Sequence, residues 1–425
     1  MRRGWWLWVC LCACGSPGPR VTEPVAVSEP VAESESVSVS VSESESVSDS
    51  VSVSDSESES DLAGTGRGTG RGTGLGTGVL IGASGDILVH LKVIESARQQ
   101  GGFEHVFAGL RGVIEEDEIA FANLETPLSM RVPPVTGDPP ILGAPAEVAP
   151  ALAAAGLDVL SVSNNHAFDQ MSAGLEDTLA ALSGAGLTAV GAGVDPGAAA
   201  GPVIVERGGM RVAFLGFTER LNRGPVAQGD HVHPARFVLE EACRAVAEAR
   251  ARADLVVVSV HWSFDFAEGP FRGQRRSARA LVEHGADLVL GHGPHILQEV
   301  ERLESPRGDA VIAYSLGNLV SNQGLRYFIG RRRLPDTLHP AVILPTTRDG
   351  VWLRTGFALE EGRLHVTSLE AIPLWTENNF LRWAQREAEA LDIHVGPLRA
   401  FDAAAQRERQ PVIRGALGDA VQLRP

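Results

Sequence analysis

In this 425-residue chain, the side chains best suited to chemistry stand at the ends of short apolar runs. Asn165 and His166 follow the run 157–163. His261 and Trp262 follow 255–260, and the run 287–290 leads into Gly291-His292-Gly293-Pro294-His295. Asp86 comes after 79–83 and Glu125 after 118–122. Each run has the length and composition of a buried strand. Residues just beyond the carboxyl ends of parallel strands converge in space, even when far apart in sequence. Imidazole, carboxylate and amide oxygen together suit a borderline cation such as zinc, iron or manganese.

The chemistry can be read residue by residue. Asp86 and Glu125 offer carboxylates, and Glu125 is placed to bridge two ions. Asn165 offers a neutral oxygen, while His261, His292 and His295 offer imidazoles. His166 is left free as a general acid or as a stabiliser of charge on an oxyanion, with Asp169 orienting it. Two cations about 3.5–4 Å apart would clamp a phosphoryl or similar oxyanion and activate water. Asn123, Trp262, Gln298, Ser315 and Asn318 are expected to line the substrate pocket, and Gln298 also to orient ligands. Plain structural readings stand beside these. Asp86 suits a turn or cap, Asn123 and Glu125 a solvated turn, and His261 beside Trp262 a packed core. His90, His105, His284, His339 and His365 fit no motif and are assigned to surface or core. Asp265 and Glu268 are placed near the site mouth, or in a solvated loop.

The elements that must position these residues alternate between strands and helices. Strands are expected at 79–83, 118–122 and 310–314, and a Gly-Gly hairpin at 203–215. Helices are expected at 90–99, 145–155, 173–182, 239–253 and 276–284. Residues 340–372 read as a β-meander with turns at 348–350 and 361–362, and 382–391 as a peripheral helix. This mixture indicates an α/β sandwich. No Gly-x-Gly-x-x-Gly follows the first strand, and the Gly-Thr-Gly repeat at 64–77 lacks the Lys of a phosphate loop.

The first 14 residues, two arginines and a short apolar stretch, read as an export signal. Leu11-Cys12-Ala13-Cys14 has the pattern of a lipobox, which makes Cys14 the candidate lipidated residue and gives membrane attachment through a lipid anchor. An ordinary signal peptide with incidental cysteines is the alternative. Residues 15–77 read as a tether. Within it, 21–61 carries eleven acids and no base in a Val-Ser/Glu-Ser alternation, which favours a self-repelling disordered segment. Without Arg2, Arg3, Arg20 and the stretch 21–61, 34 bases and 42 acids remain, so the net charge of −16 falls to −8. Without a basic stripe, nothing points to nucleic acid. Cys243 is the one cysteine beyond the leader, so no disulfide forms within the folded part.

Six ordered stretches resemble the CapA-type poly-γ-glutamate capsule biosynthesis proteins, whose fold is similar to calcineurin-like metallophosphatases. They are Gly85-Asp86, residues 123–128, residues 163–169, His261-Trp262, Gly291 to Gln298, and Tyr314 to Asn318. The resemblance implies a four-layer αββα sandwich, placed at 78–375; residues 376–425 lie outside it and read as a helical extension. It also implies one or two divalent ions (Mn, Fe or Zn) and an anionic polymer or phosphoester substrate. The family usually carries an acid at the position of Asp265. The chain departs from the family's Gly-His/Ser-His-Pro-His turn at Gly293, and from its usual glycine at Ser263. Three readings follow: an exported, envelope-anchored capsule protein with a hydrolase-like site, a weakened module that only binds polymer or cell wall, or a general phosphoesterase. The sequence leaves the oligomeric state open.

Overall fold

The computed structural model describes residues 77–224, 229–330 and 338–424. Cys14, the leader and the tether up to residue 76 lie outside the described residues. Among the described residues, no helix is long and apolar enough to cross a membrane.

The chain opens with β1 (Thr77–Ile87), α1 (Leu91–Gln99), α2 (Phe103–Phe107) and α3 (Arg111–Ile114). β2 (Ile119–Leu124), α4 (Val148–Ala155), β3 (Val159–Ser161), α5 (Met171–Gly184) and β4 (Thr188–Val190) complete a βα-type half in which β1 to β4 pair in parallel. Short β5 (Ala192–Gly193) and α6 (Pro196–Ala200) precede the hairpin of β6 (Val203–Arg207) and β7 (Met210–Thr218). β8 (His233–Pro234) pairs with β5. Next come α7 (Leu239–Arg250), β9 (Leu255–His261), α8 (Arg272–Glu283) and β10 (Leu288–His292), then the hairpin of β11 (Val300–Ser305) and β12 (Gly308–Ala313). After β13 (Asn318–Val320) and α9 (Pro340–Ile343), a long hairpin joins β14 (Asp349–Glu360) to β15 (Arg363–Asn378). α10 (Phe380–Ala384), β16 (Ile393–Pro397), α11 (Ala403–Leu417) and β17 (Gln422–Leu423) close the fold.

The strand order is β4-β3-β2-β1-β14-β15-β12-β10-β9-β7-β6. This ribbon doubles over, and three apolar clusters separate its layers. One lies between α1 to α5 and the outer face of the β1–β4 half. The central one joins Phe121 and Val159 of that half to Phe214, Val257 and Leu288 of the other. The third packs α7 and α8 against β7, β9 and β10. The result is the expected four-layer αββα sandwich. Along the ribbon the two halves meet in a single ladder pair, Gly308↔Leu364. There Gly308 has φ +130, and a Cβ would lie 2.0 Å from the Leu364 carbonyl oxygen, so only glycine fits.

Register brings the strand ends into line. In the first half Asn318, Asp86 and Asn123 are paired neighbours, with Ser161 next to Asn123. In the second half Thr218, His261 and His292 form one row. Paired residues on adjacent strands share a face, so each row delivers its side chains to one place.

Three expectations need correction. Residues 348–350 are no turn: Asp349 and Gly350 begin β14, and the hairpin turns at Glu361-Gly362, where both residues have positive φ. Residues 382–391 do not form a helix beyond the single turn of α10. The stretch 376–425 is more than a helical extension, because β16 and β17 both pair with β15. α11 is bound through Arg409, whose Nε donates to Asp349 Oδ1 at 2.9 Å and whose Nη2 donates to Asp349 Oδ2. These tertiary contacts override the weak helical periodicity of 382–391. Both partners of that ion pair are buried. Truncating Arg409 to Ala leaves a buried carboxylate alone, and is expected to lower unfolding free energy by about 3–5 kcal/mol in urea titration.

Candidate metal centre

The centre is built around Asp86. The pairing of β1 shifts register on either side of this residue, a local irregularity of the kind that re-aims a side chain. Its carboxylate is fully buried. Oδ1 accepts from Asn123 Nδ2 at 2.8 Å and lies 3.4 Å from His292 Nδ1. Oδ2 accepts from the Gly293 amide at 3.2 Å and faces His295 Nδ1 at 3.1 Å. Glu125, also fully buried, places Oε1 3.2 Å from His261 Nε2 and Oε2 3.8 Å from His295 Nδ1. Asp86, Glu125 and His295 each bring a ligand atom within 4.8 Å of the others.

Several of these atoms have no hydrogen-bond partner: both oxygens of Glu125, both ring nitrogens of His261 and of His292, and Asn165 Oδ1. Each such buried atom costs on the order of 1–3 kcal/mol if nothing meets it. Two carboxylates, an amide oxygen and three imidazoles with lone pairs to give are a donor set for a borderline divalent cation, so the residues present fit the implied metal.

The titration behaviour agrees. Burial alone would raise the Asp86 carboxyl, but the rings of His292 and His295 hold it well below the usual carboxylate range. Burial pushes Glu125 up to about 8, against the pull of His295 and with the Asp86 charge adding to the rise. Burial depresses His295, yet Glu125 and Asp86 lift it to about 9. Burial takes His261 down to about 4. Two adjacent carboxylates in a dry site resist being charged together, and a bound cation removes that resistance.

Beside this cluster opens a cavity of about 530 Å³, lined among others by His90, Asn165, His166, Arg220, Asn222 and His295. His166 Nδ1 lies 2.7 Å from Asp169 Oδ2, and Asn222 Nδ2 lies 3.3 Å from His166 Nε2. Asp169 is fully buried and also accepts from the Leu142 amide at 2.7 Å. Asp265 is at the cavity wall, as expected, in an ion pair with Arg220 at 2.8 Å. Glu268 borders a separate pocket beyond Phe266.

The structure brings together Asp86, Glu125, Asn165, His166, Asp169, His261, His292 and His295. The five residues expected to line the pocket do not line it. Asn123 is bound to Asp86. Trp262 is buried and donates to the Tyr314 carbonyl at 3.1 Å. Gln298 donates to the Ala267 carbonyl and accepts from Gln274. Ser315 donates to the Ile296 carbonyl. Asn318 donates to Ser321, Gln323 and the Thr347 carbonyl, while its oxygen lies 3.1 Å from His295 Nδ1. These side chains are taken up by neighbouring protein groups, which leaves them in the supporting shell.

His90 and His339, assigned to surface or core, instead line the cavity. Arg220 and Asn222 were missed, although they follow the apolar strand 212–218 and obey the same strand-end rule as the ligands. His90 at the start of α1 and His339 beside α9 carried no comparable signal.

The departure at Gly293 is resolved by its backbone. Gly293 has φ +100, and a Cβ there would stand 2.4 Å from the Trp262 carbonyl oxygen. His292, in register with His261, brings its ring to 3.4 Å from Asp86.

The model of the family described as "Bacterial capsule synthesis protein PGA_cap" matches residues 80–323. The chain belongs to this family. It is 31% identical over 288 residues to the PGA biosynthesis protein CapA of Bacillus subtilis (strain 168), covering 64% of this chain and 74% of that protein. It is 32% identical over 247 residues to the capsule biosynthesis protein CapA of Bacillus anthracis, covering 56% and 59%. Similar solved structures include a hypothetical protein from Thermus thermophilus (TM-score 0.41, 19% identity, 69% of this chain and 99% of that one). Another is the calcineurin-like phosphoesterase YfkN from Bacillus subtilis (TM-score 0.41, 11% identity, 80% and 98%).

Asp86→Asn and His295→Ala are each expected to lose bound divalent metal in elemental analysis of the folded protein; unchanged content would contradict the centre. Gly293→Ala is expected to lower both metal content and melting temperature, since the φ and the close carbonyl oppose any side chain.

Proposed function

We propose that this family member carries out metal-dependent hydrolysis or group transfer on an anionic substrate during poly-γ-glutamate capsule biosynthesis. One observation carries the reading: a buried carboxylate–imidazole cluster with unpartnered donor atoms opens onto a cavity beside an oriented histidine. The relatives named for capsule and PGA biosynthesis support the substrate class. The sequence features of the leader support an exported, lipid-anchored placement in the envelope.

Asp86, Glu125, Asn165, His261, His292 and His295 would hold one or two divalent ions of the Mn, Fe or Zn class. A cation there would polarise a substrate oxyanion and lower the pKa of a nearby water. Asp169 fixes the His166 ring through Nδ1, leaving Nε2 toward the cavity to move a proton. Asn222 Nδ2 stands beside the same ring, 3.5 Å from Nδ1 and 3.3 Å from Nε2. Asn123 and Asn318 keep Asp86 and His295 in place.

The test uses the full chain with p-nitrophenyl phosphate and with poly-γ-glutamate. Chelator is expected to abolish turnover. His166→Ala should lower kcat by roughly 10²–10⁴-fold with metal content unchanged. Asp169→Asn should lower kcat more than it changes KM. Turnover of the phosphoester with no effect on polymer would favour a general phosphoesterase. A metal-loaded protein that binds polymer without cleaving either would overturn the hydrolytic reading.

A further inference from the structure

A second group of potential ligands lies away from the cavity. Asp392 immediately precedes β16 and His394 lies within it. Positions i and i+2 of an extended segment share a face, so the two side chains are presented together. His105 reaches them from α2, whose neighbouring residues Val106 and Phe107 are buried in the helical layer. His105 Nε2 lies 2.7 Å from Asp392 Oδ1, and His394 Nδ1 lies 2.8 Å from the same oxygen. One ligand atom from each residue falls within 4.8 Å of the others. Asp392 and His394 lie outside the matched region 80–323.

We propose that His105, Asp392 and His394 form a second divalent-metal site that takes a borderline cation such as zinc. Two imidazoles and a carboxylate are a zinc donor set, and three protein ligands leave one position for solvent. The side chains are 33%, 31% and 29% exposed, so an ion can enter and a water can complete the shell. Zinc–ligand bonds run about 2.0–2.2 Å, so each ring nitrogen needs to draw back from Asp392 Oδ1 by only about half an ångström.

The loop carrying Asp392 is held before any ion arrives. The Leu391 amide donates to Gln99, the Asp392 amide to Asn379 Oδ1, and the Ile393 amide to Ser96 Oγ. Gln100 donates to the Leu391 carbonyl, and Asn379 Nδ2 to the Ala390 carbonyl. Phe401 stacks on the His394 ring at 5.8 Å. Such supporting bonds fix ligand orientation and reduce the ordering that binding requires. The His394 and His105 contacts hold the Asp392 carboxyl down to about 2, so it is an anion at neutral pH. Zinc would be held by neutral rings, His105 through Nε2 and His394 through Nδ1, with each ring's proton on its other nitrogen. The bound ion would tie α2 to β16.

The experiment strips the full chain with chelator, supplies zinc alone, removes the excess and counts zinc by elemental analysis. It compares the wild type, His105→Gln, Asp86→Asn and the double variant, each checked for fold by circular dichroism. The expected result is one zinc equivalent fewer in His105→Gln than in the wild type, and one fewer in the double variant than in Asp86→Asn alone. The second comparison separates this site from the buried centre, whatever that centre does. If His105→Gln misfolds, His394→Gln carries the same expectation. A folded His105→Gln or His394→Gln that keeps all its zinc would overturn the proposal and leave the cluster as a hydrogen-bonded brace.

Discussion

The site depends on keeping Asp86 charged while it is fully buried. A buried carboxylate is costly unless it is met by charge and hydrogen-bond donors from several directions. Here those directions are separate parts of the chain: Asn123 from the neighbouring strand, the Gly293 amide and His292 from the opposite half of the sandwich, and His295 from the turn that follows. The carboxylate therefore acts as a clasp between the two sheet halves, whose pairing along the ribbon is a single ladder pair. Stability and ligand geometry are two consequences of one set of contacts.

The supporting shell extends this logic outward. Asn318 faces His295 with its oxygen and donates through its amide to the Thr347 carbonyl. Two residues on, Asp349 is locked to Arg409 of α11. Arg348, buried between them in sequence, lies over the Trp375 ring at 4.3 Å and donates to the Thr376 carbonyl. The C-terminal elements, which lie beyond the family match, thus form part of the frame that sets the position of His295. A ligand held by such a chain of filled hydrogen bonds has little freedom to drift, as precise coordination requires.

Much of this was legible in the sequence where local rules are strong. Strand runs ending in Asp86, Glu125, Asn165, His261 and His292 could be read because apolar runs and strand-end convergence are periodic, short-range signals. The error lay in the residues around them. Asn123, Trp262, Ser315 and Asn318 look like pocket residues by their neighbourhood in sequence, yet they point into the frame. His90 and His339 look incidental, yet they reach the cavity. Which way a flanking side chain turns depends on register and bulges, and neither is written in composition.

By itself the sequence determined the candidate donor residues, the strand ends that carry them, the α/β class and the acidic composition of residues 21–61. These follow from residue chemistry and from hydrophobic periodicity, which act over a few residues. Only the tertiary structure decided that the His292 ring stands beside Asp86. The same holds for the integration of the C-terminal segment into the sheet, and for the meeting of His105 with Asp392 and His394. Each of these rests on contacts between segments far apart in the chain, where strand pairing and packing, rather than local preference, choose the partner.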